Sequence, residues 1–284
     1  MRPPAVSART MTDTPSDDPS AASSCDLPRG PRGCALVTGA SHRVGRAIAI
    51  ELAQAGFGLV LTYRTRSSAC RETARFCVEA AHAHGHQIDA SVAALDLSDA
   101  VGTERFGREL AARSRASRPI DLVVHNASMY QSAAFGSITL EEFERTQRVE
   151  IVSPLLLTQS LREALEASQL AGGASVVFFS DIHALERARP GFTSYLISKS
   201  GVATLARQLA VELAPRVRVH CIAPGVILWP DDFPDAAKEA ILARTPLGRA
   251  GTAEDAAKLV RFLALEAPSM TGETIYLDGG RALR

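Results

Sequence analysis

Tyr195 and Lys199 stand four residues apart in the stretch Tyr195-Leu196-Ile197-Ser198-Lys199. On an α-helix that spacing stacks both side chains on one face. A phenol beside an ammonium suits one task well. Delivery of a hydride to a C=O or C=N bond creates a basic heteroatom, and a nearby acid must protonate it as it forms. A free phenol titrates near 10, so action near neutrality asks for about three units, or about 4 kcal/mol, of help from a neighbouring cation and a cofactor's charge. Lys199 is expected to supply much of that help. The same spacing arises by chance on many helices, so the pair takes its meaning from what surrounds it.

Upstream, an aliphatic run leads into Thr38-Gly39-Ala40-Ser41-His42-Arg43-Val44-Gly45 and then into a helical pattern over Arg46–Ala55. A glycine turn that opens a helix brings backbone N–H groups and the positive helix end against a pyrophosphate. The next aliphatic run ends in Leu61-Thr62-Tyr63-Arg64-Thr65-Arg66. No acid stands at its tip to accept hydrogen bonds from two ribose hydroxyls, whereas arginines there, with Arg43, favour a ribose 2′-phosphate and hence NADPH over NADH. Asp96-Leu97 and Asn126-Ala127-Ser128 close two further runs.

These residues need a frame that brings them together. From Cys34 the chain alternates short aliphatic runs with amphipathic stretches, the pattern of βαβ units. The runs are Ala35–Thr38, Gly58–Thr62, Asp89–Leu95, Asp121–His125, Ser175–Ser180, Val217–Ala223 and Thr274–Leu277. They predict an α/β fold of Rossmann type, a doubly wound parallel seven-stranded sheet with helices on both faces and ligands beyond the carboxyl ends of the strands. One domain is expected from Gly33 to Arg284. Met1–Arg32, rich in Pro, Ser, Ala and Asp, reads as a disordered tail, with Met11 an alternative start.

The 31 acidic and 31 basic residues balance, so no global field recruits nucleic acid or an anionic membrane. No apolar run is long enough for a signal peptide or a span. Five cysteines without a C-x-x-C pair suggest neither a disulfide framework nor a common zinc site, which fits a cytoplasmic protein. His82, His84 and His86 read as a helix end with Gly85 as its stop, and no metal site is expected.

Taken together, the glycine turn, Asn126-Ala127-Ser128, Tyr195 and Lys199 resemble the short-chain dehydrogenase/reductase family over nearly all of Cys34–Arg284. Ser180-Asp181-Ile182-His183-Ala184 stands where that family usually has its catalytic serine, and an aspartate there is similar to the pteridine reductases. Ala223-Pro224-Gly225-Val226-Ile227-Leu228-Trp229-Pro230 and Leu277-Asp278-Gly279-Gly280-Arg281 likewise look like bacterial pteridine and dihydromonapterin reductases. The resemblance implies Tyr195 as proton donor, Lys199 as ribose anchor and source of field, and Asp181 as partner in proton delivery to a dihydropterin. It implies that Gly39, Ser41, Arg43, Val44, Gly45, Tyr63, Arg64, Thr65, Asp96, Leu97, Asn126, Ala127, Ser128, Pro224 and Gly225 join Tyr195 and Lys199 in holding NADPH. Arg43, Ser128 and Tyr130 are expected to line the pterin pocket with Asp181 and Tyr195, the ring of Tyr130 stacking on the flat substrate. Glu141–Ser168 and the Tyr195 helix resemble the paired helices through which the family assembles, which implies a homotetramer.

Three departures qualify the match. Asp181 and Tyr195 are one residue further apart than the family's usual spacing. Glu150, four before Pro154, replaces an asparagine that commonly holds a proton-relay water, and an ionised carboxylate cannot donate as an amide does. His220 replaces an asparagine before Cys221. Two rivals stay open: a short-chain carbonyl reductase acting on a ketoacyl or sugar substrate through the same Tyr195–Lys199 pair, and a cofactor-binding scaffold without turnover. Asp181 argues against the first, since a carboxylate orients a carbonyl oxygen poorly but pairs well with the donor-rich edge of an aminopyrimidine.

Overall fold

The computed structural model describes Asp26–Trp229 and Phe233–Arg284. Seven strands form one parallel sheet: β1 (Gly33–Val37), β2 (Phe57–Tyr63), β3 (Ala90–Ala94), β4 (Leu122–His125), β5 (Ala174–Phe179), β6 (Val217–Pro224) and β7 (Thr274–Leu277), in the order β3-β2-β1-β4-β5-β6-β7. β4 and β5 are buried along their whole length, and β2 up to its last residue, as expected when helices cover both faces.

Successive side chains leave the sheet on opposite sides, so each apolar run feeds two cores. Leu36, Val176 and Phe178 face one core, and Val37, Val177 and Phe179 the other. The first core is closed by α3 (Ala100–Ser117), α5 (Ser153–Ser160) and α8 (Thr193–Glu212), which contribute Leu110, Leu157 and Val202. The second is closed by α1 (Arg43–Gln54), α2 (Ser67–Ala83) and α10 (Ala253–Leu265), which contribute Leu52, Cys77 and Val260. β1 lies between β2 and β4, so the connections run outward in both directions from that pair and leave a crevice at their carboxyl ends.

The folded unit starts before Gly33. Leu27 is fully buried in the first core, the Arg29 amide donates to the Asp89 carboxylate while its carbonyl accepts from the Asp89 amide, and Arg118 donates to the Gly30 carbonyl. Burying one leucine is worth about 1.5–3 kcal/mol, enough to hold a short segment down. Asp26–Arg32 therefore belong with the domain rather than with the tail, and the remainder of the expected tail, Met1–Cys25, lies outside the described residues.

Arg218 on β6 is 5% exposed and its guanidinium donates to the carbonyls of Gly172 and Gly173 before β5 and of Leu263, Ala264 and Ala267 at the end of α10. It satisfies helix-end acceptors that would otherwise lack partners. α2 stops at Ala83, and Gly85 takes the left-handed conformation (φ 76°), so the histidine cluster is a helix end. Among the described residues no helix is long and apolar enough to cross a membrane.

Candidate active site

A cleft of about 1370 Å³ opens along the carboxyl ends of the strands. At its adenosine end the turn after β1 is held tightly. Asn126 Nδ2 donates to the Thr38 and Gly39 carbonyls at 3.0 and 3.2 Å, and Thr38 Oγ1 accepts from the Asn126 and Ala127 amides, each at 3.1 Å. Gly39 has a φ of 67°, and a Cβ on Gly45 would lie 2.3 Å from the Gly39 carbonyl oxygen, so these two positions require glycine. Arg43, where the family commonly has another glycine, adopts φ 54°, a conformation that costs a side-chain-bearing residue about 1–2 kcal/mol. α1 begins at Arg43, three residues before the start expected from the pattern.

The first turn of α1 carries no acidic residue, and its N-cap His42 makes no side-chain cap. This turn, Arg43 to Gly45, lines the cleft without a side-chain cap, a cradle that fits a pyrophosphate. His42 is held below its usual pKa by burial and by the charges of Arg66, Arg43 and Arg46, which reports a positive field at this end. Arg64 and Arg66 line the same wall. Asp96 stays below the usual carboxylate range: burial alone would raise it, but the hydrogen bonds from Ser98 and the charges of Arg64 and Arg145 prevail. Gly39, Ser41, Arg43, Val44, Gly45, Tyr63, Arg64, Thr65, Asp96, Leu97, Asn126, Ala127, Ser128, Pro224 and Gly225 all line this one cleft.

At the other end β5 delivers Asp181, the N-cap of a single helical turn, α7 (Ile182–Leu185). Its Oδ1 accepts from the His183 amide at 2.8 Å and contacts His183 Nδ1 at 2.9 Å. Its Oδ2 accepts from the Tyr195 hydroxyl at 3.2 Å, so the extra residue between them is absorbed without separating the pair. Burial pushes Asp181 up, but the hydrogen bonds from His183 and the charges of His183 and Lys199 outweigh it and hold the carboxyl below its ordinary value. Asp181 is therefore an anion at neutral pH.

The expected lowering of Tyr195 by Lys199 is not what this arrangement produces. Tyr195 is raised well above 10.0, first by burial and then by the negative charges of Asp181 and Glu150 and the hydrogen bond to Asp181. Glu150 adds to this by pairing with Lys199. It sits in a π-helical turn (Arg148–Val152) between α4 (Leu140–Gln147) and α5, where Pro154 has no N–H to return to the Glu150 carbonyl. The turn aims the carboxylate inward. One oxygen pairs with Lys199 Nζ at 2.8 Å, and the other accepts from Ser128 Oγ at 2.7 Å and the Met129 amide at 2.5 Å. Lys199 also donates to the Phe179 carbonyl at 2.7 Å and lies 5.6 Å from the centre of the Tyr195 ring. Its charge is largely compensated before it reaches the phenol. Lys199 is 3% exposed and, alone of the expected site residues, does not line the cleft.

Tyr130 is half exposed and stands edge-on to Tyr195 at 5.1 Å and beside Phe192 at 4.9 Å, with its hydroxyl accepting from Arg189. Sequence reasoning missed Phe192, Trp229 and a set of arginines, Arg187, Arg189, Arg244 and Arg281, that line the substrate end. Pro230, part of the motif that includes Trp229, lies outside the described residues. His220 faces no ligand. It is fully buried with both ring nitrogens unpartnered, and burial with the Arg218 charge lowers its pKa to about 4, so it packs as a neutral ring. Cys34, Cys70, Cys77 and Cys221 are buried free thiols pushed up by burial, unsuited to nucleophilic work.

The chain is similar to known proteins over most of its length. The family model described as "Enoyl-(Acyl carrier protein) reductase" matches residues 39–282. "Dehydrogenase/reductase SDR family member 4" of Homo sapiens is 34% identical over 263 residues, covering 88% of this chain and 87% of that protein. A "3-oxoacyl-[acyl-carrier-protein] reductase" of Staphylococcus aureus is 29% identical over 259 residues, covering 87% and 96%. Among solved structures, a blue fluorescent protein from a metagenomic library in complex with NADPH superposes with a TM-score of 0.74 at 28% identity, covering 88% of this chain and 98% of that one. The acetoin dehydrogenase of Enterobacter cloacae superposes with a TM-score of 0.75 at 26% identity, covering 89% and 96%. With its sheet order, its glycine turn and the Tyr195–Lys199 pair on one helix, the chain is an oxidoreductase and belongs to the short-chain dehydrogenase/reductase family.

Proposed function

We propose that this enzyme reduces a dihydropterin to the tetrahydropterin with NADPH. The observation that carries the reading is the ionised Asp181 carboxylate hydrogen-bonded to the Tyr195 hydroxyl at the head of the cleft. A reductase needs its phenol protonated, and a buried anion beside Tyr195 keeps it so. The same carboxylate complements the donor-rich edge of an aminopyrimidine. Tyr195 gives up its proton to the substrate nitrogen, and Asp181, with His183 behind it, orients the phenol. Tyr130 and Phe192 offer aromatic surface against which a flat ring packs.

NADPH supplies the hydride when bound. The uncapped amides of α1 would hold its pyrophosphate, and Arg43, Arg64 and Arg66 its 2′-phosphate. A tetramer in the cytoplasm, assembled through Glu141–Ser168 and α8, completes the proposal.

A second reading is reduction of a simple or ketoacyl carbonyl. The relative from Staphylococcus aureus, a 3-oxoacyl-[acyl-carrier-protein] reductase, favours it, and the Tyr195–Lys199 pair would serve it equally.

Steady-state rates with NADPH and NADH on dihydrobiopterin, dihydrofolate, acetoacetyl thioesters and simple ketones separate the readings. The expected result is kcat/KM at least tenfold higher for a dihydropterin than for any ketone, and higher with NADPH than with NADH. Arg64→Asp should raise KM for NADPH far more than for NADH. A ketone preferred over every pterin overturns the substrate, and equal use of both cofactors overturns the 2′-phosphate contact.

A further inference from the structure

Arg187, Arg189, Arg244 and Arg281 reach the substrate end of the cleft from three separate segments: the loop after α7, the residues after α9 (Asp235–Leu242), and the last turn of the chain, 281–283. Their closeness is electrostatically unfavourable. Arg281 is pulled below its ordinary pKa first by burial and then by the charges of Arg244, Arg187 and Arg189, with Asp181 opposing. Asp181 already serves His183 and Tyr195. Among the described residues none of the four guanidinium groups forms an ion pair with a carboxylate.

Arg281 is the informative member. It is 8% exposed, yet its Nε has no hydrogen-bond partner, although buried donors are almost always satisfied. The backbone goes to some length to put it there. Gly279 and Gly280 both take positive φ (65° and 83°), and the Asp278 carboxylate accepts from the Gly280 and Ala282 amides at 2.8 and 2.6 Å, locking the turn that carries Arg281. An unmet guanidinium donor in a wall of like charges suits an anion, because the planar fork of arginine matches carboxylate and phosphate oxygens.

We propose that the substrate reduced at Tyr195 carries an anionic group, carboxylate or phosphate, which docks on Arg281, Arg244 and Arg187 beyond Asp181. This rests on the reductase reading of the cleft and narrows its substrate class. The reacting ring lies against Tyr195 and Asp181 while the charged side chain extends toward the last turn of the chain. Arg189, stacked over Phe192 at 4.3 Å and bonded to the Tyr130 hydroxyl, ties the anion site to the aromatic wall.

The test uses matched pairs that differ in charge. The enzyme with bound NADP⁺ is titrated with pterin-6-carboxylate and with uncharged 6-hydroxymethylpterin, read by pterin fluorescence, with a dihydropterin phosphate ester to distinguish phosphate from carboxylate. Turnover is measured in parallel on acetoacetyl-coenzyme A and on the uncharged acetoacetyl thioester of N-acetylcysteamine. The anionic member should be preferred at least tenfold in the pair the enzyme accepts, and the preference should shrink as salt rises. Arg244→Gln combined with Arg187→Gln should collapse that ratio toward one. Arg281→Met should do the same, and the first variant keeps the test valid if the buried substitution unfolds the turn. Anionic preference in the thioester pair with neither pterin bound would overturn the pterin reading and leave the anion site standing. No charge preference in either pair, or a preference indifferent to the arginine variants, overturns the anion site.

Discussion

Tyr195→Phe should lower the rate of reduction by about 10²–10⁴-fold while leaving the affinity for NADPH within about twofold, the range general-acid catalysis accounts for when its donor is removed. Tyr195 is 6% exposed and its hydroxyl faces Asp181 rather than the adenosine half of the cleft, so it contributes little to holding the cofactor. Cofactor titration by fluorescence and single-turnover rates measure the two quantities separately. Asp181→Ser sharpens the test. The anion that raises Tyr195 is then gone, so the alkaline limb of the rate profile, where the phenol loses its proton, should move to lower pH. Substantial turnover in Tyr195→Phe would mean that the proton comes from elsewhere and would overturn the assignment of Tyr195.

Lys199→Met should be costly in a different way. The Lys199 and Glu150 side chains are 4% and 2% exposed and pair at 2.8 Å. Removing one partner of a buried pair leaves an uncompensated charge, at about 3–5 kcal/mol. In a domain of this size, with a midpoint shift of roughly 2–4 °C per kcal/mol, melting should fall by roughly 6–20 °C. Replacing both partners, as Glu150→Leu with Lys199→Met, should recover much of the loss, because an apolar pair of similar volume often matches a buried ion pair in stability. Turnover should not return, since the ammonium beside the phenol is absent in both variants. Scanning calorimetry of the two variants decides the matter, and a Lys199→Met protein that melts with the wild type would show that the pair carries no stability.

The sheet could be read from the chain because its aliphatic runs are short, continuous and bounded by turn residues. The observed strand ends fall within one or two residues of the runs, as at Val217, where both begin. Local chemistry also placed the turn at Gly39 and the helix that carries Tyr195 and Lys199. The misses are all non-local. Leu27 is a single apolar residue in a polar, proline-rich segment, and only its burial under the first core reveals it. Glu150 stood out as a departure, but its partner lies 49 positions away and is reached only through the π-turn. Arg187, Arg244 and Arg281 carry no shared motif and meet only after three segments converge on the cleft.

Arg218 has a consequence for motion. Its guanidinium bridges β6, the residues leading into β5 and the final turn of α10 through carbonyls alone, without a carboxylate. A tie made of charge and peptide dipoles is screened little by salt and has no acid to protonate. α10 consequently cannot fray on its own: releasing its last turn strands a buried cation under the sheet. Amide exchange at that turn should follow opening of the whole domain. The segment that bears Arg281 is thereby attached, through β6 and its neighbour β7, to a part of the molecule that opens last.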